Sequence, residues 1–445
     1  MLEPMAHFHQ CAAVLSVGDE LVLGQTLDTN SRWISDQLLS LGILPVEHVT
    51  VPDDLGAQTE AFRRLASGVD LVICSGGLGP TADDLTRQAL TSFTGDELVE
   101  DQLAVAQIEA WFAVRGRPLN AINRVQALRP SRGICLENRY GTAPGLHVRS
   151  DAGGRTVDVF CLPGPPKELA PMFAAAVVPR LRPMPGRTVR TRALHTIGLG
   201  ESEIALRFRD AATGDLMSRD RELLVGTTAS AGIVSCRLRY DGSLSPENAE
   251  ARLDEAEREI RRLLGVHVFG AQGTTLPDAV VAALRDRGES VATVESCTGG
   301  LLAGMLTSVP GSSGVFSSGW VTYSNKAKQS EMGVPAALFA EAGGPGAVSR
   351  EVASAMATGG LARSGATHCL AITGIAGPDG GSQSKPVGTV WVALASAGGQ
   401  PDVRRFAMLG MDRAGVRDLA AKAALGMLWV HLAGEPATRL LRQVE

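Results

Sequence analysis

The stretch "DLVICSGGLGPTADDLT", Asp70 to Thr86, decides the fold of the first half of the chain. Its apolar opening reads as a buried strand, and its end opens a helical pattern. Between them lie Gly76, Gly77 and Gly79, then Pro80 and Thr81. Glycines let backbone N–H groups approach an anion, and a helix N-terminus adds a favourable dipole. The loop is neither a Walker loop, having no Gly-Lys-Ser/Thr, nor a GxGxxG turn. Asp83 and Asp84 close it, and they would repel a bare phosphate. A carboxylate pair beside a phosphate cradle makes chemical sense when a divalent cation bridges them. The plainer alternative is that one of the two aspartates caps the helix.

The same alternation extends outward. "AAVLSV" (12–17), "LPVEHVTV" (44–51) and "VDVFCLPG" (157–164) read as strands. "NSRWISDQLLSLG", "TEAFRRLASG" and "KELAPMFAAAVVPRL" carry helical spacing. Strand–helix–strand repeats imply a parallel sheet with right-handed crossovers. The loops after such strands gather along one edge, where ligands bind. Those loops are Val17–Glu20, Gly76–Asp84 and Pro163–Pro166. Asp19, Glu20, Asp53 and Asp54 are therefore further candidates for a metal site beside Asp83 and Asp84.

Composition sets the bounds. A chain of 445 residues holds roughly three domains. Hydrophobic residues at 44% and charged residues at 20% allow buried cores. The net charge of -5 argues against a nucleic-acid binder working through a large basic face. Seven dispersed cysteines with no CxxC pair argue against a zinc knuckle and for a reduced, cytoplasmic protein. "MLEPMAHFHQ" lacks Lys and Arg and reads as a loose extension rather than a secretory signal. No apolar run reaches the ~18 residues of a membrane span. The chain divides into an N-terminal parallel-sheet domain (11–178), a small α+β domain (185–270) and a C-terminal α/β domain (272–440). In the middle domain "SPENAEARLDEAEREIRRLLG" is an amphipathic helix capped by Ser245. Nothing there demands chemistry, and it reads as a packing and linking unit.

In the C-terminal domain "VESCTGG" sits where the strand "SVATVE" meets the helix "LLAGMLTSV". A nucleophile at such a junction is exposed, and N–H groups of the first helical turn can hold an oxyanion. By itself, this stretch favours a hydroxyl of Ser296 or Thr298 simply capping the helix. A serine needs a base. Here the only histidines, His368 and His431, read as packing residues. "WVTYSNKAK" offers Tyr323, Lys326 and Lys328 instead, and a lysine desolvated in a pocket can act as a base.

Longer motifs carry a resemblance. "SVGDELVLGQTLDTNSRWI", "SGGLGPTADDLT", "YGTAPGL" and "LPGPPKEL" resemble the N-terminal domain of the CinA family and, more distantly, the molybdopterin-binding fold. That resemblance implies hydrolysis of ADP-ribose to AMP and ribose 5-phosphate, with a divalent metal of the Mg or Co type. It places Asp84 at a functional aspartate and Asp53 or Asp54 near a second; Glu168 is a weaker ligand candidate. "TVESCTGGLLAGML", "WVTYSNKAK", "AITGIAGPDGG" and "DRAGVR" resemble the family's C-terminal domain, found elsewhere alone as nicotinamide-nucleotide amidase. The resemblance implies hydrolysis of NMN to nicotinic acid mononucleotide and ammonia without a cofactor. It makes Ser296 the nucleophile, assisted by Lys328 and Tyr323. Cys297, Thr298, Gly299 and Gly300 then line the substrate, with Thr373, Gly374 and Arg413, although "GMDR" departs from the family's usual "GDR". It further implies a homodimer. Two alternatives stay open: only one activity is live, or the chain is a non-catalytic partner in competence or DNA repair.

Overall fold

The computed structural model describes residues 7–445 apart from 153, 213, 219–221 and 342. The chain divides into two compact units, residues 1–191 with 240–250, and residues 192–239 with 251–445.

The first unit is built on β1 (Cys11–Val17), α1 (Thr29–Ser40), β2 (Leu44–Val51), α2 (Leu55–Ala66), β3 (Leu71–Ser75) and α3 (Thr86–Thr94). There follow β4 (Ile134–Leu136), β5 (Gly145–Ala152), β6 (Arg155–Leu162) and α4 (Pro166–Met172). The sheet order is β2-β1-β3-β6-β5-β4. The first four strands are parallel; β5 pairs antiparallel with β6, and β4 antiparallel with β5. Successive residues of β1 and β3 face opposite layers. Ala13, Leu15, Val72 and Cys74 pack with Phe62, Leu65 and Leu90, whereas Ala12, Val14, Leu71 and Ile73 pack with Ile34, Leu38 and Phe173. Burial on both faces is why these strands read as continuous apolar runs. The helical stretch 167–181 is broken: after α4 come a wide π turn, Phe173–Val177, and a tight 3-10 turn, Val178–Arg180. Pro171 has no N–H to donate and disturbs the ladder there.

Residues 7–10 are not loose. His9 is fully buried, and its N–H donates to the Arg182 carbonyl at 2.7 Å. Residues 1–6 lie outside the described ones. The His9 ring is held at both ends: Nδ1 accepts from the Arg182 N–H at 2.9 Å, so Nε2 carries the proton and donates to Asp158 at 2.9 Å. Asp158, 1% exposed, also accepts from His147 and from both sides of the Arg149 fork. Among the described residues His7, His9 and Asp158 form the only His/Cys/Asp/Glu group compact enough to hold a metal ion. The arrangement is unsuited to one, because the His9 lone pair is turned away and the carboxylate is occupied. It is an anchor between the chain start and the far ends of β5 and β6.

The middle sheet consists of β7 (Thr188–Ile197), β8 (Leu223–Ser230), β9 (Ile233–Gly242) and β10 (Val268–Ala271), in the order β8-β9-β7-β10, with residues 188–191 and 240–242 counted in the first unit and the rest in the second. Two helices accompany it, α5 (Glu201–Arg209) and α6 (Pro246–Leu264), the latter with Ser245 accepting from the Asn248 N–H. The C-terminal sheet follows with α7 (Leu276–Arg287), β11 (Val291–Glu295), α8 (Leu301–Thr307), β12 (Phe316–Val321), α9 (Asn325–Met332), α10 (Arg350–Ser364), β13 (His368–Gly374), β14 (Thr389–Ser396), β15 (Asp402–Ala407) and α11 (Arg413–Leu432). Its order is β12-β11-β13-β14-β15, with the first three strands parallel. Their three carboxyl ends lie side by side, which brings residues 295–300, 321–328 and 373–377 to one edge. Among the described residues no helix is long and apolar enough to cross a membrane.

Hydrogen bonds hold the Asp158 carboxyl far below the ordinary carboxylate value of 3.8, outweighing its burial. A folded-state value below the unfolded one contributes stability that is complete above pH 3.8 and is lost as the pH falls. Asp158→Asn removes the buried carboxylate shared by His9, His147 and the half-exposed Arg149 and is expected to destabilise the first unit by about 1–2 kcal/mol in denaturant unfolding at pH 7.

Candidate active sites

The C-terminal site is assembled by the three parallel strand ends. Ser296 follows β11, and its N–H donates to the Ile372 carbonyl of β13 at 3.0 Å. The Thr322 N–H after β12 donates to the Glu295 carbonyl at 2.8 Å. Ser324 caps α9 through the Ala327 N–H, and one turn later Lys328 points back into the protein. Lys328 is 1% exposed. Its Nζ lies 3.0 Å from Ser296 Oγ, 2.8 Å from the Thr322 carbonyl and 3.4 Å from the Tyr323 carbonyl. A carbonyl can only accept. An ammonium donates to all three; in the neutral amine, with two N–H bonds and one lone pair, the two carbonyls take the hydrogens and the lone pair faces the serine hydroxyl. Burial pushes the Lys328 ammonium below the ordinary lysine range. Desolvation favours the neutral amine, and in that form the geometry leaves its lone pair for the Ser296 proton.

Cys297 is 6% exposed, and burial pushes its thiol up to about 11. It stays protonated near neutrality, so intrinsic thiol reactivity does not operate here. Neither Ser296 nor Thr298 caps α8. The N-cap is Gly300, in left-handed conformation with φ 94°, and the helix start is satisfied from beneath by a carboxylate. Glu295, 1% exposed, accepts from the N–H groups of Gly300 and Leu302 at 3.0 Å each and Ala303 at 2.8 Å. The first-turn donors expected to hold an oxyanion are thus occupied. The Gly299 N–H is occupied too, by the Ser296 carbonyl. Among the described residues, the N–H groups of Cys297 and Thr298 are the ones in this turn with no protein acceptor. Arg417 on α11 donates to the Thr298 carbonyl at 2.7 Å.

The remaining predicted residues surround this centre. Tyr323 reaches Lys328 only through its backbone carbonyl; its ring is 59% exposed, and its hydroxyl accepts from Arg413 at 2.9 Å. It is therefore no proton relay between Lys328 and Ser296 in this arrangement. Arg413 opens α11 and also donates to the Gly377 carbonyl at 2.6 Å. Thr373 is buried with its hydroxyl on the Ala347 carbonyl, and at Gly374 a Cβ would press on Val390. His368 is occupied by Ser396 and Glu289, and His431 packs against it. Both are the packing histidines that the sequence implies.

In the first unit, the loops after β1, β3 and β6 line a cavity of about 380 Å³ with Gly18, Glu20, Asp53, Gly76, Gly77, Gly79, Pro80, Thr81, Asp83, Asp84 and Glu168. The glycines are needed. At Gly76, with φ 105°, a Cβ would lie 2.4 Å from the Val17 carbonyl oxygen. At Gly77, with φ 64°, it would lie 2.2 Å from Thr86 Oγ1. Asp84 does not cap α3; it folds back on its own loop and accepts from the N–H groups of Gly79 and Thr81 at 2.8 Å each. Those two donors are therefore closed to an anion, while the Gly77 and Leu78 N–H groups have no acceptor among the described residues. Buried Arg87, which no motif marks, pulls the Leu78 and Gly79 carbonyls inward.

The candidate metal ligands separate. Asp54 caps α2 through the Ala57 N–H and is not a cavity residue, so the choice between Asp53 and Asp54 falls to Asp53. Asp19 and Asp53 exchange hydrogen bonds with each other's backbone N–H groups. Burial raises the Asp53 pKa, with the charges of Asp19, Glu20 and Asp83 adding to it. The donor set is all oxygen, which suits a hard divalent cation. The acids do not converge into a ready cage, so they fit a cation whose shell the phosphates of a bound ligand help complete. Glu168 is tethered by Asn138 at 2.9 Å and sits against Gly141, where a Cβ would meet its carboxylate.

Comparison with known proteins covers most of the chain. The sequence profiles described as "CinA C-terminal domain", "Probable molybdopterin binding domain" and "Damage-inducible protein CinA KH domain" match residues 273–432, 13–183 and 191–270. A CinA-like protein of Geobacter metallireducens is 41% identical over 420 residues, covering 94% of this chain and 98% of the relative. A CinA-like protein of Akkermansia muciniphila is 39% identical over 426 residues, covering 96% and 98%. The chain belongs to the CinA family. Among solved structures, that of the competence/damage inducible protein CihA from Agrobacterium tumefaciens is 41% identical. It covers 36% of this chain and 93% of that one, with a TM-score of 0.34. The middle segment, which sequence patterning left as a packing unit, is thus the KH segment of a CinA protein.

The desolvated lysine has a thermodynamic signature. Its folded-state pKa lies below the ordinary 10.5, so between the two values the unfolded chain binds the extra proton. Stability therefore rises with pH across that window. Lys328→Met is expected to remove that rise, as read by thermal unfolding from pH 7 to 10.

Proposed function

We propose that the C-terminal site is a serine–lysine amidase acting on NMN. The observation that carries the reading is the buried Lys328 Nζ, within hydrogen-bond reach of two backbone carbonyls and of Ser296 Oγ. Lys328 takes the hydroxyl proton as Ser296 Oγ bonds to the carboxamide carbon. The oxygen of the tetrahedral intermediate gains negative charge beside the Cys297 and Thr298 N–H groups. The C–N bond breaks, the Lys328 ammonium protonates the leaving nitrogen, and ammonia departs. The nicotinoyl ester on Ser296 is then attacked by water, which gives its proton to the neutral Lys328. Release of nicotinic acid mononucleotide returns that proton to Ser296. Arg413, at the start of α11 and beside the exposed Tyr323 ring, supplies a guanidinium fork for the substrate phosphate.

The first-unit cavity supports a second activity, hydrolysis of ADP-ribose to AMP and ribose 5-phosphate. The free Gly77 and Leu78 N–H groups offer the pyrophosphate its donors, and Glu20, Asp53 and Asp83 would hold a divalent cation of the Mg or Co type. Such a cation, when bound, neutralises phosphate charge and polarises the phosphoryl oxygen. The seven cysteines are free thiols, which fits a reducing, cytoplasmic setting. A homodimer is part of the same proposal.

The test is incubation with NMN, and separately with ADP-ribose with and without Mg²⁺, with products resolved by chromatography. Ser296→Ala is expected to lower NMN turnover by about 1,000-fold or more, and Lys328→Ala comparably, while Cys297→Ala stays within about threefold. A chelator is expected to stop ADP-ribose hydrolysis and leave NMN hydrolysis unchanged. Full turnover by Ser296→Ala would remove the amidase reading, and silence with both substrates would favour a partner role in competence or repair.

A further inference from the structure

The turn between β11 and α8 is pinned from two sides by charged side chains. Glu295 engages the N–H groups of Gly300, Leu302 and Ala303. The peptide between Thr298 and Gly299 is held at both ends, its carbonyl by Arg417 and its N–H by the Ser296 carbonyl. Without a partner among the described residues are the N–H groups of Cys297 and Thr298 and the buried Thr298 hydroxyl. Arg417 lies one helical turn beyond Arg413 on α11, so the two share a helix face. Their partners differ: Arg413 reaches Tyr323 and Gly377 at the mouth of the site, Arg417 the turn that carries the nucleophile. The charge of Arg417 is also felt at the Cys297 thiol, which it lowers against the larger effect of burial.

We infer that Glu295 and Arg417 are the positioning residues of the oxyanion hole. Glu295 takes up the helix-start donors that would otherwise compete for the anion and locks the turn from below. Arg417 fixes the Thr298 peptide from the side and sets a positive charge beside the place where negative charge develops. This inference rests on the amidase reading and divides its two arginines by task. Arg413 serves ground-state binding, and Arg417 serves the transition state through the turn.

The experiment measures kcat and KM for NMN in Arg417→Met, Arg417→Lys, Glu295→Gln and Arg413→Met. Alongside these it follows the rate and final extent of Ser296 phosphonylation by a phosphonofluoridate, and thermal unfolding. Arg417→Met and Glu295→Gln are expected to lower kcat about 10- to 100-fold with KM within about twofold. They slow phosphonylation without lowering its final extent, and Arg417→Lys recovers part of the loss. Arg413→Met mainly raises KM. A KM effect alone at Arg417, unchanged kcat, or a loss matched by a lower final extent of labelling would overturn the inference; the last would make the role one of folding only. If the wild type does not turn over NMN, the amidase reading fails, and the phosphonylation rates still decide whether Glu295 and Arg417 act on this turn.

Discussion

The second unit is organised around one buried amine. Lys328 Nζ is out of contact with water and touches two backbone carbonyls and one hydroxyl. An ammonium could donate to all three, but burial works against the charge. The neutral form satisfies the same contacts with one lone pair turned to Ser296. Burying a lysine costs stability, and the fold tolerates that cost because the carbonyls of Thr322 and Tyr323 are delivered by a strand end that must stop there. Three parallel strands ending side by side place Ser296, Lys328 and Thr373 together without any contribution from a histidine.

The two candidate sites use the same architecture for opposite electrostatics. In each, a strand runs through glycines into a helix, and a carboxylate from the motif folds back onto backbone N–H groups. Asp84 does so within its own loop, and Glu295 does so across the start of α8. In each case part of an apparent anion cradle is already filled by the protein. The first-unit cavity then gathers further acids around Asp53, which favours a cation beside a phosphate ligand. The second-unit site instead has two arginines near its turn, beside a lysine whose charge burial disfavours.

Much of this was legible in the sequence because period and motif length carry strand and loop identity. "SGGLGPTADDLT" and "VESCTGG" lie where the alternation of strand and helix places them, and "WVTYSNKAK" ends a strand beside the second. Other features depend on contacts between residues far apart in the chain. His9 meets Asp158 across 149 residues, which no local pattern of "MLEPMAHFHQ" could show. Asp53 and Asp54 are adjacent, and only the start of α2 decides that Asp54 is its cap. Arg87 follows the quoted "SGGLGPTADDLT", and Glu295 and Arg417 lie inside "VESCTGG" and "DRAGVR", but all three act on backbone atoms, so nothing in the pattern marks their roles. The Tyr323 hydroxyl pairs with Arg413, 90 residues away, rather than with the nearby Lys328.

The central claim is that Ser296, with neutral Lys328 as its base, becomes acylated. The most direct measurement is an acid quench of the protein during NMN turnover, followed by peptide mapping by mass spectrometry. The account predicts a nicotinoyl-nucleotide ester on the peptide spanning β11 and α8, located at Ser296 and absent in Ser296→Ala. An adduct on Cys297, or steady turnover with no covalent adduct on this peptide, would contradict it.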